Sequence, residues 1–259
     1  MTGRAPLKES LSGGIATLTL DRPEKRNALN AALIEALTRA LERTAEDPSV
    51  RVVAIRGAGS DFCSGADLEE LERMSALSEE ENLADARRLG RLFISLRRHP
   101  RPVVAVVRGR ALAGGAGLAT ACDLALAHED AQLGYPEVQL GFVPAMAMTI
   151  LRRKVPEAVA FELAVRGERI GAAEGERLGL FSRVLGDAEF DAEANSYLAE
   201  LASRPPSAVA ICKRLLYELD DLGFEDGIEG GVRANVQARM SEECRDGVKR
   251  FLERSRKRP

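Results

Sequence analysis

The sequence predicts a layered α/β core that ends in a helical tail. Three observations predict it: strand-like runs at Ile15 to Leu20, Val52 to Arg56 and Val103 to Val107, helical patterns between them, and the fading of strand signals after Glu157. With 259 residues, 45% of them hydrophobic and 30% charged, the chain can bury a substantial core and is too apolar to be disordered.

The elements follow in order. Ile15 to Leu20 is a strand closed by Asp21-Arg22-Pro23, and Asn30 to Asp47 places Leu33, Leu37 and Leu41 on one face of a helix stopped before Pro48. Val52 to Arg56 is a short strand running into Gly57-Ala58-Gly59-Ser60. The charged stretches Asp67 to Arg73 and Glu79 to Arg98 read as helical, the latter largely solvated. The unbroken Val103 to Val107 run suits a strand covered on both faces; a small-residue helix after Ala113-Gly114-Gly115 and a buried strand at Cys122 to Ala127 come next. Helices over Asp187 to Ser203, Ser207 to Leu219, Glu225 to Met240 and Ser241 to Arg254 are punctuated by Pro205-Pro206 and Gly223.

Composition narrows the function. Thirty-seven Lys and Arg against forty Asp and Glu leave a net charge of −3, which does not favour nucleic acid or anionic membranes. No apolar run reaches the ~18 residues of a membrane span, and Met1 to Ser10 lacks the apolar middle of a secretory signal. A cytoplasmic protein with small-molecule partners is therefore expected. Cys63, Cys122, Cys212 and Cys244 form no closely spaced pair, and His99 and His128 are the only histidines, so no metal site is expected and the thiols are expected reduced and mostly in the core. A phosphate-binding glycine loop ending in Lys-Ser/Thr, a dinucleotide glycine fingerprint and a nucleophilic serine elbow are all missing.

Two small-residue loops remain, Asp61-Phe62-Cys63-Ser64-Gly65-Ala66-Asp67-Leu68 and Gly109 to Gly117, each after a strand and before a helix. Such loops offer bare backbone N–H groups to an oxygen, or serve only tight strand-to-helix packing.

These loops, with Leu20-Asp21-Arg22-Pro23, Asn27-Ala28-Leu29, Gly114-Gly115, Cys122-Asp123 and Pro136-Glu137-Val138-Gln139-Leu140-Gly141, resemble the enoyl-CoA hydratase/isomerase, or crotonase, family, in register over nearly the whole chain. The resemblance implies a repeated ββα spiral core over residues 1–190 and a helical C-terminal trimerisation region over 191–259. It implies a homotrimer or dimer of trimers, with Ile211, Leu215 and Leu216 in the contact, an acyl-CoA substrate, and no cofactor beyond the coenzyme A of that substrate.

By family position, the N–H groups of Ala66 and Gly114 hold the thioester oxygen, where one preorganised donor to an enolate contributes about 3 kcal/mol. The CoA end lies along Arg26, Ala28, Ser64, Ala66, Asp67 and Leu68, with Gly114 and Gly115 at the thioester. Pro144-Ala145-Met146-Ala147-Met148 departs from the glycine-rich run usual in family hydratases, and its flexible Met146 and Met148 line the acyl pocket or pack in the core. Phe251, in the basic tail Arg245 to Arg258, is implied near the CoA of a neighbouring subunit.

Family hydratases generally use two glutamates. Only one is present, Glu137; the other position is Gly117. Adding water needs one group to activate water and another to protonate carbon, whereas one carboxylate can lift and return a proton to move a double bond. The expectation therefore leans to isomerase or non-standard hydratase chemistry, with Glu69, Glu70 and Glu72 as stand-in acids to be weighed. Decarboxylation of a malonyl-type thioester and a non-catalytic acyl-CoA-binding or RNA-associated role stay open. Ala145 stands where related dehalogenases carry a nucleophilic aspartate, which sets that chemistry aside.

Overall fold

The computed structural model describes residues 5–256, except the side chains of 68, 255 and 256. Residues 1–4 of the N-terminal segment, the side chain of Arg256, and Lys257 and Arg258 of the basic tail lie outside the described residues.

The chain opens with an antiparallel pair, β1 (Leu7–Ser12) and β2 (Ile15–Leu20), followed by α1 (Ala31–Glu46) and β3 (Val52–Gly57). Asn30 caps α1 by accepting the Leu33 N–H. Next come α2 (Leu68–Met74), α3 (Glu79–Arg98), β4 (Val103–Val107), β5 (Arg110–Leu112), α4 (Gly114–Ala121), β6 (Leu124–His128) and β7 (Gln132–Gly134). A 3-10 turn at Pro136–Leu140 leads to α5 (Ala145–Lys154), α6 (Glu157–Arg166), β8 (Arg169–Gly171), α7 (Ala172–Arg177) and β9 (Arg183–Leu185). The chain ends in α8 (Phe190–Ala202), α9 (Pro206–Glu218), α10 (Phe224–Met240) and α11 (Glu242–Arg256).

Six strands form one sheet in the order β1-β2-β3-β4-β6-β9, parallel from β2 onward. A second sheet, β5-β7-β8, carries the second small-residue loop, while the first follows β3 of the larger sheet. The unbroken valine run of β4 is explained by two covered faces. Val103, Ala105 and Val107 join the main core with Leu33, Leu37 and Leu41 of α1, while Val104 and Val106 pack with Phe190, Ala194 and Leu198 of α8. The helix α8, placed in the C-terminal region by a division at residue 190, thus covers a face of the sheet.

The stretch Glu79 to Arg98 is largely solvated, as expected, with Leu92, Phe93 and Leu96 buried on one face. Two expectations need correction. The buried strand expected at Cys122 to Ala127 begins at Leu124, and Cys122-Asp123 precede it. Cys63 and Cys122 are core thiols, but Cys212 is exposed and Cys244 half-buried.

Asp123 accepts from Lys213 Nζ at 2.7 Å, Tyr217 OH at 2.6 Å and the Val103 N–H at 2.7 Å. This anchors α9 to the start of β4, and burial pulls the Lys213 ammonium below its ordinary range while Asp123 opposes that shift. No helix among the described residues is long and apolar enough to cross a membrane.

Candidate active site

Three chain segments run parallel and in register beneath the candidate site. Cys63 bridges Ala111, and Ala111 pairs with Leu133. Ala66 lies three residues beyond that line, Gly114 three and Glu137 four, so all three leave at the same end of adjacent parallel segments. Ligands in α/β folds sit at the carboxyl ends of parallel strands.

The first loop is shaped by close backbone approach. Gly65 has φ +102°, and a Cβ there would stand 2.8 Å from the Ala113 Cβ, so only glycine lets the loops touch. Beside it, Leu29 N–H donates to Gly65 O at 2.7 Å and Asp67 N–H to Leu29 O at 2.9 Å. In this parallel bridge the N–H of Ala66 is directed away from Leu29. Ala66 is exposed although Gly65 and Asp67 are buried.

The second amide comes from a strained reversal. Ala113, a non-glycine residue, has φ 51° and ψ −125°, held by its N–H to Gly134 O at 2.8 Å. Such a conformation costs about 1–3 kcal/mol and tends to occur at functional sites. It turns the chain from β5 into α4, so that Gly114 begins the helix. The first intrahelical bond is Gly117 N–H to Ala113 O, which leaves the Gly114 N–H outside the helical ladder at its positive end.

Glu137 sits in the turn after β7. Its carbonyl accepts the Gly141 and Phe142 N–H groups, which closes the turn. Its carboxylate Oε2 is buried without a hydrogen-bond partner in the described structure, and burial raises its pKa above the ordinary value for glutamate. A partly buried carboxylate with one oxygen unpartnered is a candidate proton carrier.

The remaining expected residues divide by what their side chains do. Arg26 is exposed, Ser64 half-buried and Ala28 buried, and the Ser64 N–H donates to Arg26 O at 3.0 Å. Leu68 begins α2, and its side chain lies outside the described residues. Gly115 packs its backbone on Cys63. Met146 is half-buried against the core, Met148 is 39% exposed, and Phe251 is exposed on α11. Glu69 pairs with Lys25 and Glu70 with Arg73, each at 2.6 Å, on the surface, while Glu72 is exposed.

Asp67, expected along the CoA, has a carboxylate already engaged. Its Oδ2 accepts from Arg22 Nη2 at 2.6 Å and its Oδ1 caps α2 through the Glu69 N–H. Burial acts to raise its pKa, but these hydrogen bonds and the Arg22 charge outweigh burial and hold it below the usual carboxylate value. Arg22 also donates to Ala28 O, so one guanidinium fastens both chains flanking the Leu29–Ala66 bridge.

Asn27 is completely buried at φ 55°; its side chain accepts from Arg22 N–H and donates to Ala58 O and Asp61 O. Arg110 grips Asp61 through Nε at 2.7 Å and Nη2 at 2.9 Å. These braces could not be assigned from the sequence, although Arg22 and Asn27 stand in the family-like segments. Cys63 cannot serve as a nucleophile, because burial pushes its thiol up to about 12.

The Arg22 brace gives a stability prediction. Arg22→Leu leaves the buried Asp67 carboxylate without its ion-pair partner, and should cost about 3–5 kcal/mol in urea unfolding. Arg22→Lys should recover only part of this, since an ammonium cannot reproduce the planar fork spanning both acceptors. An unfolding midpoint unchanged by Arg22→Leu would show that the brace does not hold the loop.

The enoyl-CoA hydratase/isomerase family model matches residues 10–258. A Thermus thermophilus relative bearing an enoyl-CoA hydratase name is 40% identical over 93% of this chain and 96% of its own. The Escherichia coli 2,3-dehydroadipyl-CoA hydratase is 32% identical over 93% of this chain and 92% of its own. The solved enoyl-CoA hydratase of Mycobacterium smegmatis superimposes with a TM-score of 0.93 at 32% identity, covering 97% of each chain. The crotonase-like fold implied by the sequence is therefore present, and the chain belongs to the enoyl-CoA hydratase/isomerase family of enzymes acting on acyl-CoA thioesters.

Proposed function

We propose that this enzyme moves the double bond of a 3-enoyl-CoA thioester into conjugation, with Glu137 as the sole proton carrier. The thioester oxygen lies between the N–H groups of Ala66 and Gly114. Glu137 takes a proton from C2, the electrons of that bond enter the dienolate, and Glu137 returns the proton to C4. The double bond then joins C2 and C3, with no atom gained or lost.

The observation supporting this reading is the common register of Cys63, Ala111 and Leu133, by which residues 66, 114 and 137 all follow the same end of the parallel segments. The absence of an acid at Gly117 and the surface ion pairs of Glu69 and Glu70 support a single carrier. Hydration by a water held on Glu137 is the second reading, favoured by the hydratase names of the relatives. A trimer is part of the same proposal, supported by the exposed face Phe224, Ile228, Val232, Val236 and Met240 along α10, spaced four residues apart.

The test follows 3-enoyl and 2-enoyl thioesters in heavy water. Conjugated-thioester absorbance should rise from the 3-enoyl substrate, with deuterium entering C4 to the extent that the Glu137 carboxyl exchanges with solvent before it returns the proton. Binding of the thioester with neither absorbance change nor exchange at C2 would defeat the proposal.

A further inference from the structure

We infer that Phe93 is a specificity-determining residue: its ring fills the place on α4 where a second acid would otherwise activate water, and so favours double-bond migration over hydration. This rests on the proton-carrier reading above and adds to it the group that keeps water out.

The observation is a contact between distant parts of the chain. Gly117 lies one helical turn beyond Gly114, and a Cβ built there would stand 2.9 Å from Phe93 Cζ, 3.3 Å from its Cε2 and 3.4 Å from the Ala147 Cβ. No side chain enters that space unless the ring moves. Phe93 itself is only 8% exposed, on the buried face of α3 with Leu92 and Leu96.

One turn earlier on α3, Met146 lies beside Gly90, its Sδ 3.6 Å from where a Cβ there would be, an ordinary van der Waals contact that adds a second apolar group to this wall. The nearby hydroxyls are already committed. Thr120 donates to Ala116 O at 2.8 Å, and its oxygen meets Tyr135 OH at 3.1 Å, both residues being fully buried.

A water beside Gly117 would therefore meet the Phe93 ring and the Ala147 methyl, and apolar spaces of this kind stay dry. Hydration requires the water oxygen to bond to C3 while a proton reaches C2, so a dry wall suppresses it. Migration needs only the proton on Glu137 and is unaffected.

The experiment compares wild type, F93A, G117E and F93A/G117E for the ratio of 2-enoyl hydration to 3-enoyl migration, with thioester binding and thermal unfolding measured alongside. F93A/G117E should raise that ratio at least ~10-fold over G117E, the lower part of what a positioned acid-base group contributes. A double variant that folds and binds thioester yet keeps the wild-type ratio overturns the inference. If the double variant does not fold, the Gly117 comparison below decides: equal losses of stability with and without the Phe93 ring overturn the inference.

G117A supplies a readout independent of activity. It should lower the unfolding midpoint in the Phe93 background and much less in F93A; equal losses in both would overturn the contact. Failure of the wild type to exchange its α-proton would instead count against the proton-carrier reading, leaving this coupling measurable.

Discussion

Glu137→Gln should fold and bind a CoA thioester as the wild type does, yet turn over at least ~100-fold more slowly, the usual scale for losing a general acid-base group. The amide is nearly isosteric with the carboxylate but cannot carry the proton. Steady-state rates and α-proton exchange check this together, since a variant that still exchanges at the wild-type rate removes Glu137 from the mechanism.

The same residue sets a pH dependence whose sign follows from its burial. Burial raises the Glu137 pKa above its ordinary value of 4.5. The carboxylate is the form that accepts the proton, so kcat/KM should climb with pH through the raised pKa and then level. Stability moves the other way. The native state binds the proton more tightly than the unfolded state, so stability falls as pH rises from the unfolded pKa to the folded one. Glu137→Gln should thus be at least as stable as wild type above this window, and that advantage should vanish below it. A variant losing stability at neutral pH would mean that the carboxylate has a partner.

The parts of the architecture that were legible in the sequence are those with long periodic patterns. Val103 to Val107 matches β4, and the leucines of Asn30 to Asp47 form the buried face of α1. Strands β5, β7, β8 and β9 have three residues each, too few to show a period. In α3 the charged majority masked three buried side chains, among them Phe93.

The candidate site was legible through its residue types but not through its geometry. Small residues at 65, 66 and 114 mark bare backbone, yet the register joining Cys63, Ala111 and Leu133 is long-range pairing that local composition does not encode. The positive φ of Ala113 is likewise invisible, because alanine carries no sign of it. Asp67 illustrates another limit: its family-like position implies a place along the CoA, but nothing in the sequence shows that its carboxylate is engaged by Arg22.

Two adjacent glycines should respond in opposite ways to substitution, and the contrast tests the backbone-amide argument directly. A Cβ on Gly114 meets only the Leu29 Cδ1, at 3.3 Å, the movable end of a side chain. Gly114→Val should therefore unfold within about 1 kcal/mol of wild type. It should nonetheless lose turnover by ~10²–10³-fold, the effect of removing one donor to an oxyanion, because its branches cover the face a thioester must approach. A Cβ on Gly115 would instead stand 2.2 Å from Cys63 O and 2.8 Å from its carbonyl carbon, which are backbone atoms that cannot step aside. Gly115→Ala must push α4 off the first loop, straining the Leu112 N–H to Cys63 O bond, with a cost at or beyond the ~3 kcal/mol upper end of ordinary overpacking. Unfolding midpoints and turnover for the two variants separate the roles. A folded Gly114→Val enzyme at full rate would show that its amide does not bind the thioester oxygen, and a Gly115→Ala protein of wild-type stability would show that helix and loop are not in contact.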